Sequence, residues 1–349
     1  MADRQDTSNL EAKGLERHSA DRAEAREGRD SRMFTTIGEI LIDFTPVAER
    51  DGVLKFAARA GGSPANVAIG LVRLGAQAEF AGKVSTDFFG RYLLQHLERE
   101  GVGTRFVSRS PAPSALAFVT LDRDTPSFEF YGTGTADVQL REEDLPRSIN
   151  ESAVLHFGSI SLLGEATSKT VLALVDRLRG TCLLSLDPNV RPSLIDDADA
   201  YRRILDRAFR AADVVKVSIE DLRWLEPALP IEDAAAGLLA QGALLVVVTL
   251  GPTGCYARTR AEEFRIPAPH VTVVDTVGAG DAFSSGLLAS LAWSGLAIRR
   301  TLERSDSALV EKALRFATGA ATLTCTRAGA NPPYRDEIER FLRVRLPYV

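Results

Sequence analysis

Cysteine and histidine are scarce in this chain of 349 residues, and neither is spaced for chemistry. Cys182, Cys255 and Cys325 are odd in number, far apart and form no CxxC pair. That argues against a secreted disulfide scaffold and for a reducing, cytoplasmic compartment. His18, His96, His156 and His270 show no metal-ligand spacing. No apolar run reaches the length of a membrane span, so no membrane partner is expected. A basic surplus is missing too: 42 Lys and Arg stand against 47 Asp and Glu, a net charge of −5, which argues against a nucleic-acid surface. No GxxxxGKS/T loop occurs and no GxGxxG follows the first strand-like run, so a P-loop and a nicotinamide dehydrogenase lose their main support. An internal repeat and a long linker are also absent.

What is present is a core-forming composition, 45% hydrophobic and 26% charged. Residues 1–32 mix acids and bases without apolar periodicity and read as a disordered extension, with Met33 as the natural start. From Phe34 the pattern alternates. FTTIGEILIDF reads as a buried strand, SPANVAIGLVRLG as a helix closed by Gly75, and Asp87 and Gly101 bracket a second helix. Near-continuous apolar strands (AVLHFGSISL, TCLLSLD, DVVKVS, ALLVVVTL) then alternate with helical stretches, and the strand-like HVTVVD follows from His270. This predicts an α/β fold, a central mostly parallel sheet flanked by helices on both faces. Two stretches break the rhythm, approximately 45–60 and 114–132, and read as a small antiparallel β lid inserted in a single domain of residues 33–349.

Several strand ends carry polar or glycine-rich turns. In AGGSPANVAIGLVRLG, Gly62 permits close backbone approach and Asn66 offers a donor and an acceptor near a helix start. Asp43, at the end of the first apolar run, can accept two hydroxyl protons and so suits a vicinal diol. In DPNVRP, Asn189 and Arg191 supply donors of phosphate-compatible geometry. TLGPTG, with Thr249, Gly251 and Gly254, is a turn fit to lie under a nucleotide. VDTVGAGDAFSSG places Gly278, Ala279 and Gly280 at a helix start, where unpaired N–H groups attract phosphate. Asp281 follows them, either as the helix N-cap or as the base that orients an attacking alcohol.

Taken together, these motifs resemble a known family. GGSPANVAIGLVRLG is similar to the amino-terminal signature of the ribokinase-like (PfkB) carbohydrate kinases, and DTVGAGDAFSSG to their carboxy-terminal signature. IGEILIDF, ALAFVTLD, DPNVRP and TRAGA are similar to the fructokinase branch. The resemblance implies a ribokinase-like fold and an ATP- and Mg2+-dependent sugar kinase, with D-fructose converted to D-fructose 6-phosphate. Ribose or 2-keto-3-deoxygluconate as the acceptor, or a catalytically silent homologue, stay open. It also implies that Asp43, Gly62 and Asn66 hold sugar hydroxyls and that Gly278, Ala279 and Gly280 form an anion hole beside the base Asp281. Asn189 and Arg191 would approach the ATP phosphates. Ser218 and Asp221 would help to organise Mg2+ and phosphate, while Thr249, Gly251, Gly254 and Thr318 would line the nucleotide. A K+ site would be built from Asp275, the Val277 carbonyl and the loop of Arg327 and Gly329. Relatives often carry arginine where this chain has Gly132, and that substitution is expected to widen the sugar pocket. Apolar lid positions (Leu116, Phe118, Phe128, Phe130) are expected to be exposed and to join a homodimer.

Overall fold

Short apolar runs make parallel strands here because helices cover both of their faces, so no alternation with polar residues is needed. The computed structural model describes residues 33–50, 53–122 and 125–345; the expected extension, residues 1–32, lies outside them. The chain runs through β1 (Met33–Ile37), a hairpin of β2 (Leu41–Arg50) and β3 (Val53–Gly61), and helix α1 (Ser63–Arg73). β4 (Gln77–Ser85), α2 (Phe88–Glu100), β5 (Gly103–Ser110) and a second hairpin of β6 (Leu116–Asp122) and β7 (Thr125–Tyr131) follow. Next come β8 (Val154–Gly158), α3 (Glu165–Leu178), β9 (Leu183–Asp187), α4 (Ala198–Ala211), β10 (Val214–Ser218), α5 (Ile219–Leu225), α6 (Ile231–Gln241) and β11 (Leu245–Thr249). A hairpin of β12 (Cys255–Arg258) and β13 (Glu263–Ile266) precedes α7 (Ala279–Trp293), α8 (Arg299–Leu302), α9 (Ser307–Thr324) and α10 (Arg335–Arg345).

The large sheet has the order β13-β12-β11-β10-β9-β8-β1-β4-β5. It is parallel from β11 to β5, with β12 and β13 antiparallel at one edge. One core lies on the face of α3, α4 and α6, around Val171, Leu205 and Leu238; the other lies on the face of α1, α7 and α9, around Leu71, Leu287 and Ala317. No helix among the described residues is long and apolar enough to cross a membrane.

The second sheet has the order β3-β2-β6-β7. It is antiparallel within each hairpin, and the two hairpins meet through a parallel pair that sets Asp43 opposite Ala117 and Phe44 opposite Phe118. Phe44 stacks on Phe118 at 4.6 Å, with Phe56 and Phe89 against its edges.

Three expectations are corrected. FTTIGEILIDF is two strands in two different sheets, because the chain turns at 38–40 and leaves the large sheet. HVTVVD is not a strand: Val274 and Asp275 donate to the Cys325 carbonyl instead of a ladder, and Val273 and Val274 are exposed. Leu116, Phe118 and Phe130 are partly buried, packed within their own chain, and the side chain of Phe128 lies outside what is described. Among the described residues, the large exposed apolar side chains of the small sheet are Val47, Val53, Leu54 and Tyr131.

Candidate active site

The first turn of α7 sits at the carboxyl edge of the large sheet, where open α/β sheets bind ligands. Gly278 precedes it in a left-handed conformation, φ 77°, and a Cβ there would lie 2.7 Å from the Cα of Ala330. Glycine is therefore required both by backbone angle and by space. The Ala279 amide donates to Thr276 O, whereas the amides of Gly278, Gly280 and Asp281 have no acceptor among the described residues. Two glycine amides and that of Asp281 are thus open to an anion, while the Ala279 amide is not.

Asp281 does not cap its helix. Its carboxylate is 8% exposed and turns away, Oδ1 accepting from Ser63 Oγ at 2.7 Å and Oδ2 from Asn66 Nδ2 at 2.8 Å. Burial pushes its pKa above the usual carboxylate range, while the Ser63 and Asn66 donors oppose the rise. Asn66, expected to hold sugar, thus holds the Asp281 carboxylate. Gly62 lies between β3 and α1, as the N-cap of α1 with φ 107°, and a Cβ there would stand 2.7 Å from Glu39 O.

A cavity of about 350 Å³ opens between the small sheet and α7, bordered by Asp43, Gly62, Asn66, Arg191, Gly280 and Asp281. Burial first, and then the charge of Asp281, raises Asp43 to about 6, while Arg191 pulls it part of the way back. A second cavity of about 480 Å³ lies on the far side of Gly280. Thr249, Gly251, Gly254 and Thr318 border it together with apolar Val271, Val273 and Phe283. Gly280 and Asn189 line both cavities, so the two meet at the start of α7. Asn189 and Ser159, the non-glycine residues of positive φ (41° and 58°), face each other there at 3.4 Å. Strain of this kind is tolerated where the surrounding structure fixes it, commonly at functional sites.

Some expected residues are not brought to the cavities. Asp221 is buried, its Oδ1 accepting from Val190 N and its Oδ2 from Ser218 N, so it holds the DPNVRP turn in place. Ser218 caps α5 and still borders the second cavity, where Glu220 stands without a partner among the described residues. Arg191 borders the first cavity, not the second, with Nη1 donating to Asn189 and Val190 oxygens. Asp275 ties two loops together, accepting from Val277 N at 3.0 Å and Gly329 N at 2.8 Å. The Arg327 side chain is paired with Glu337. Gly132 borders neither cavity, and a Cβ there would overlap the Phe130 ring, which lines the first.

Others were missed. Glu39 borders the first cavity, accepts from Ser63 N and from Ser161 N and Oγ, and is raised to about 7 by burial. An acid in the middle of the apolar run IGEILIDF, four residues before Asp43, was the available signal. Arg59, opposite Asp43 in the β2–β3 register, lines the same cavity, which therefore holds two guanidinium groups. Lys216 borders the second cavity.

Two contiguous cavities, one apolar and one polar, meeting at unpaired helix amides beside a buried carboxylate, define a phosphotransferase with an alcohol acceptor. The profile of the pfkB family carbohydrate kinases matches residues 31–337, and the chain belongs to that family. It is 38% identical to a fructokinase of Rhizobium leguminosarum bv. trifolii over 81% of this chain and 86% of that protein. The structure is similar to that of a fructokinase of Xylella fastidiosa with bound ATP, at a TM-score of 0.82 and 30% identity over 89% of this chain and 98% of that one. It is also similar to a fructokinase of Vibrio cholerae O395 bound to fructose, ADP and calcium, at a TM-score of 0.80 and 28% identity, covering 90% and 99% of the two chains.

Proposed function

We propose that the protein transfers the terminal phosphoryl group of ATP to D-fructose, giving D-fructose 6-phosphate. One observation carries the chemistry: the Asp281 carboxylate stands where the two cavities meet, next to helix amides that have no acceptor among the described residues. Asp43, Gly62 and Asn66 bind the sugar, and Asp281 takes the proton of the attacking hydroxyl as its oxygen bonds to phosphorus. The amides of Gly278, Gly280 and Asp281 hold the charge that builds on the transferring group while the bond to the leaving oxygen of ADP breaks. Thr249, Gly251, Gly254 and Thr318 line the nucleotide, and the apolar wall of the second cavity suits a base. No three of His, Cys, Asp or Glu converge on a metal site among the described residues. Ser218 and the Glu220 carboxylate beside it would hold Mg2+ at the ATP phosphates, where it would supply charge neutralisation and orientation. A K+ site falls to Asp275 with the Val277 and Arg327 carbonyls near Gly329. A homodimer through the small sheet and a cytoplasmic location complete the proposal.

Arg59 and Arg191 favour one second reading, a sugar acid such as 2-keto-3-deoxygluconate, whose carboxylate they would meet. Initial rates of ADP release with Mg2+ and ATP decide between the two. Fructose is expected to exceed ribose, 2-keto-3-deoxygluconate and fructose 6-phosphate in kcat/KM by about tenfold or more. Any of the three ahead of fructose reassigns the acceptor, and no release with any sugar refutes the kinase.

A further inference from the structure

Lys216 is the one buried lysine or arginine among the described residues. It stands on β10, and its Nζ donates to Asp187 Oδ2, at the end of β9, at 2.7 Å. An ammonium has three donors, and the other two have no acceptor among the described residues. The group also borders the second cavity and lies against the start of α7: a Cβ on Gly280 would stand 2.9 Å from Nζ. Burial pulls its pKa down, yet the charges of Asp187, Asp221 and Asp281 outweigh burial and hold it above the ordinary lysine value. A buried ion pair is a weak source of stability, because desolvation consumes much of the Coulombic gain. A cation with two spare donors, facing a cavity between carboxylates, is instead completed by an arriving anion.

We infer that Lys216 is a catalytic residue that donates to an oxygen of the transferring phosphoryl group, across from the Gly280 and Asp281 amides. This role rests on the kinase activity proposed above. The sugar oxygen bonds to phosphorus, the bond to the leaving oxygen of ADP breaks, and the hydroxyl proton goes to Asp281. Lys216 keeps its own protons and holds the charge spread over the phosphoryl oxygens. It also screens Asp281 and Asp187 from the incoming phosphates, which those carboxylates would otherwise repel.

The test pairs binding with turnover, using a non-hydrolysable ATP analogue and ADP on the wild type and K216M. A contact to the terminal phosphoryl group predicts that K216M weakens the analogue about tenfold or more and ADP less than about threefold, while kcat falls about a hundredfold at unchanged KM for sugar. Equal weakening of both nucleotides, or none, overturns the assignment. Methionine leaves the Asp187 carboxylate stranded, so K216M/D187N carries the same titrations if the single variant unfolds. A double variant that also fails to fold makes Lys216 structural and overturns the assignment as well. Wild-type protein that binds neither nucleotide sinks the kinase activity itself, so the two failures are distinct.

Discussion

Asp281 is held by two donors from a helix more than 200 positions earlier in the chain, Ser63 and Asn66. Burial favours the protonated acid, and a protonated acid cannot take a proton from the acceptor, so these donors keep the base usable. Asp281→Asn is expected to lower kcat by about 10²–10⁴-fold with little change in sugar affinity, read from steady-state kinetics and equilibrium binding. An Asn variant with near wild-type kcat removes Asp281 from the chemistry. Asp43 gives a pH signature. Its folded pKa, about 6, lies above the ordinary 3.8. Folding thus favours the protonated form, and the stability this contributes is present below pH ~4 and lost as pH rises through 6. Sugar binding runs the other way, since the ionised form accepts hydroxyl hydrogen bonds. kcat/KM for fructose should fall as pH drops below about 6, and Asp43→Asn should lower the plateau and abolish that limb. A limb unchanged in the variant assigns it to another group. At this scale the sequence singled out Asp281 and Asp43, which the fold brings to one cavity, but not what surrounds them. Ser63 and Lys216 acquire meaning only through contacts that folding creates.

Helix α2 shows how an element ties the small sheet to the core. Asp87 caps it, Oδ1 accepting from Gly90 N at 2.7 Å and from Ser114 Oγ at 2.7 Å, and Oδ2 accepting from Ser114 N at 2.8 Å. Burial works against the charge, but these donors prevail and hold the carboxyl below its ordinary value. Asp87→Ala should destabilise the protein by about 2 kcal/mol, measured by urea unfolding, and free the entry to β6. No measurable loss would mean that the cap is redundant. The cap was legible in advance, as were β8 to β11, because N-caps and doubly buried strands announce themselves locally. The break of FTTIGEILIDF was not. Both halves are apolar, and the second is buried against the other hairpin and α2, so hydrophobicity alone does not mark the change of sheet. HVTVVD misled for the opposite reason: its valines alternate as a strand would, but Val271 and Val273 line a cavity.

At the scale of the molecule, the small sheet leaves Val47, Val53, Leu54 and Tyr131 exposed. Exposed apolar side chains on a hairpin tip invite a second copy to cover them, as the proposed dimer would. Leu54→Glu should convert a dimer to a monomer in sedimentation velocity with the fold intact. A wild-type monomer at micromolar concentration excludes the assembly. The sequence anticipated the two hairpins but not which of their apolar side chains are covered, because period-two alternation says that two faces differ without saying which is buried.

The cavities are two separate volumes that share a wall at Asn189, Thr276 and Gly280. Neither substrate must leave before the other enters, and no side chain needs to carry the phosphoryl group between them. Initial-rate lines at varied sugar and ATP should therefore intersect to the left of the ordinate instead of running parallel. A single direct passage from donor oxygen to acceptor oxygen also inverts the phosphorus. ATP made chiral at its terminal phosphorus with oxygen isotopes should yield a sugar phosphate of the opposite hand, and retention would reveal a covalent relay on the protein.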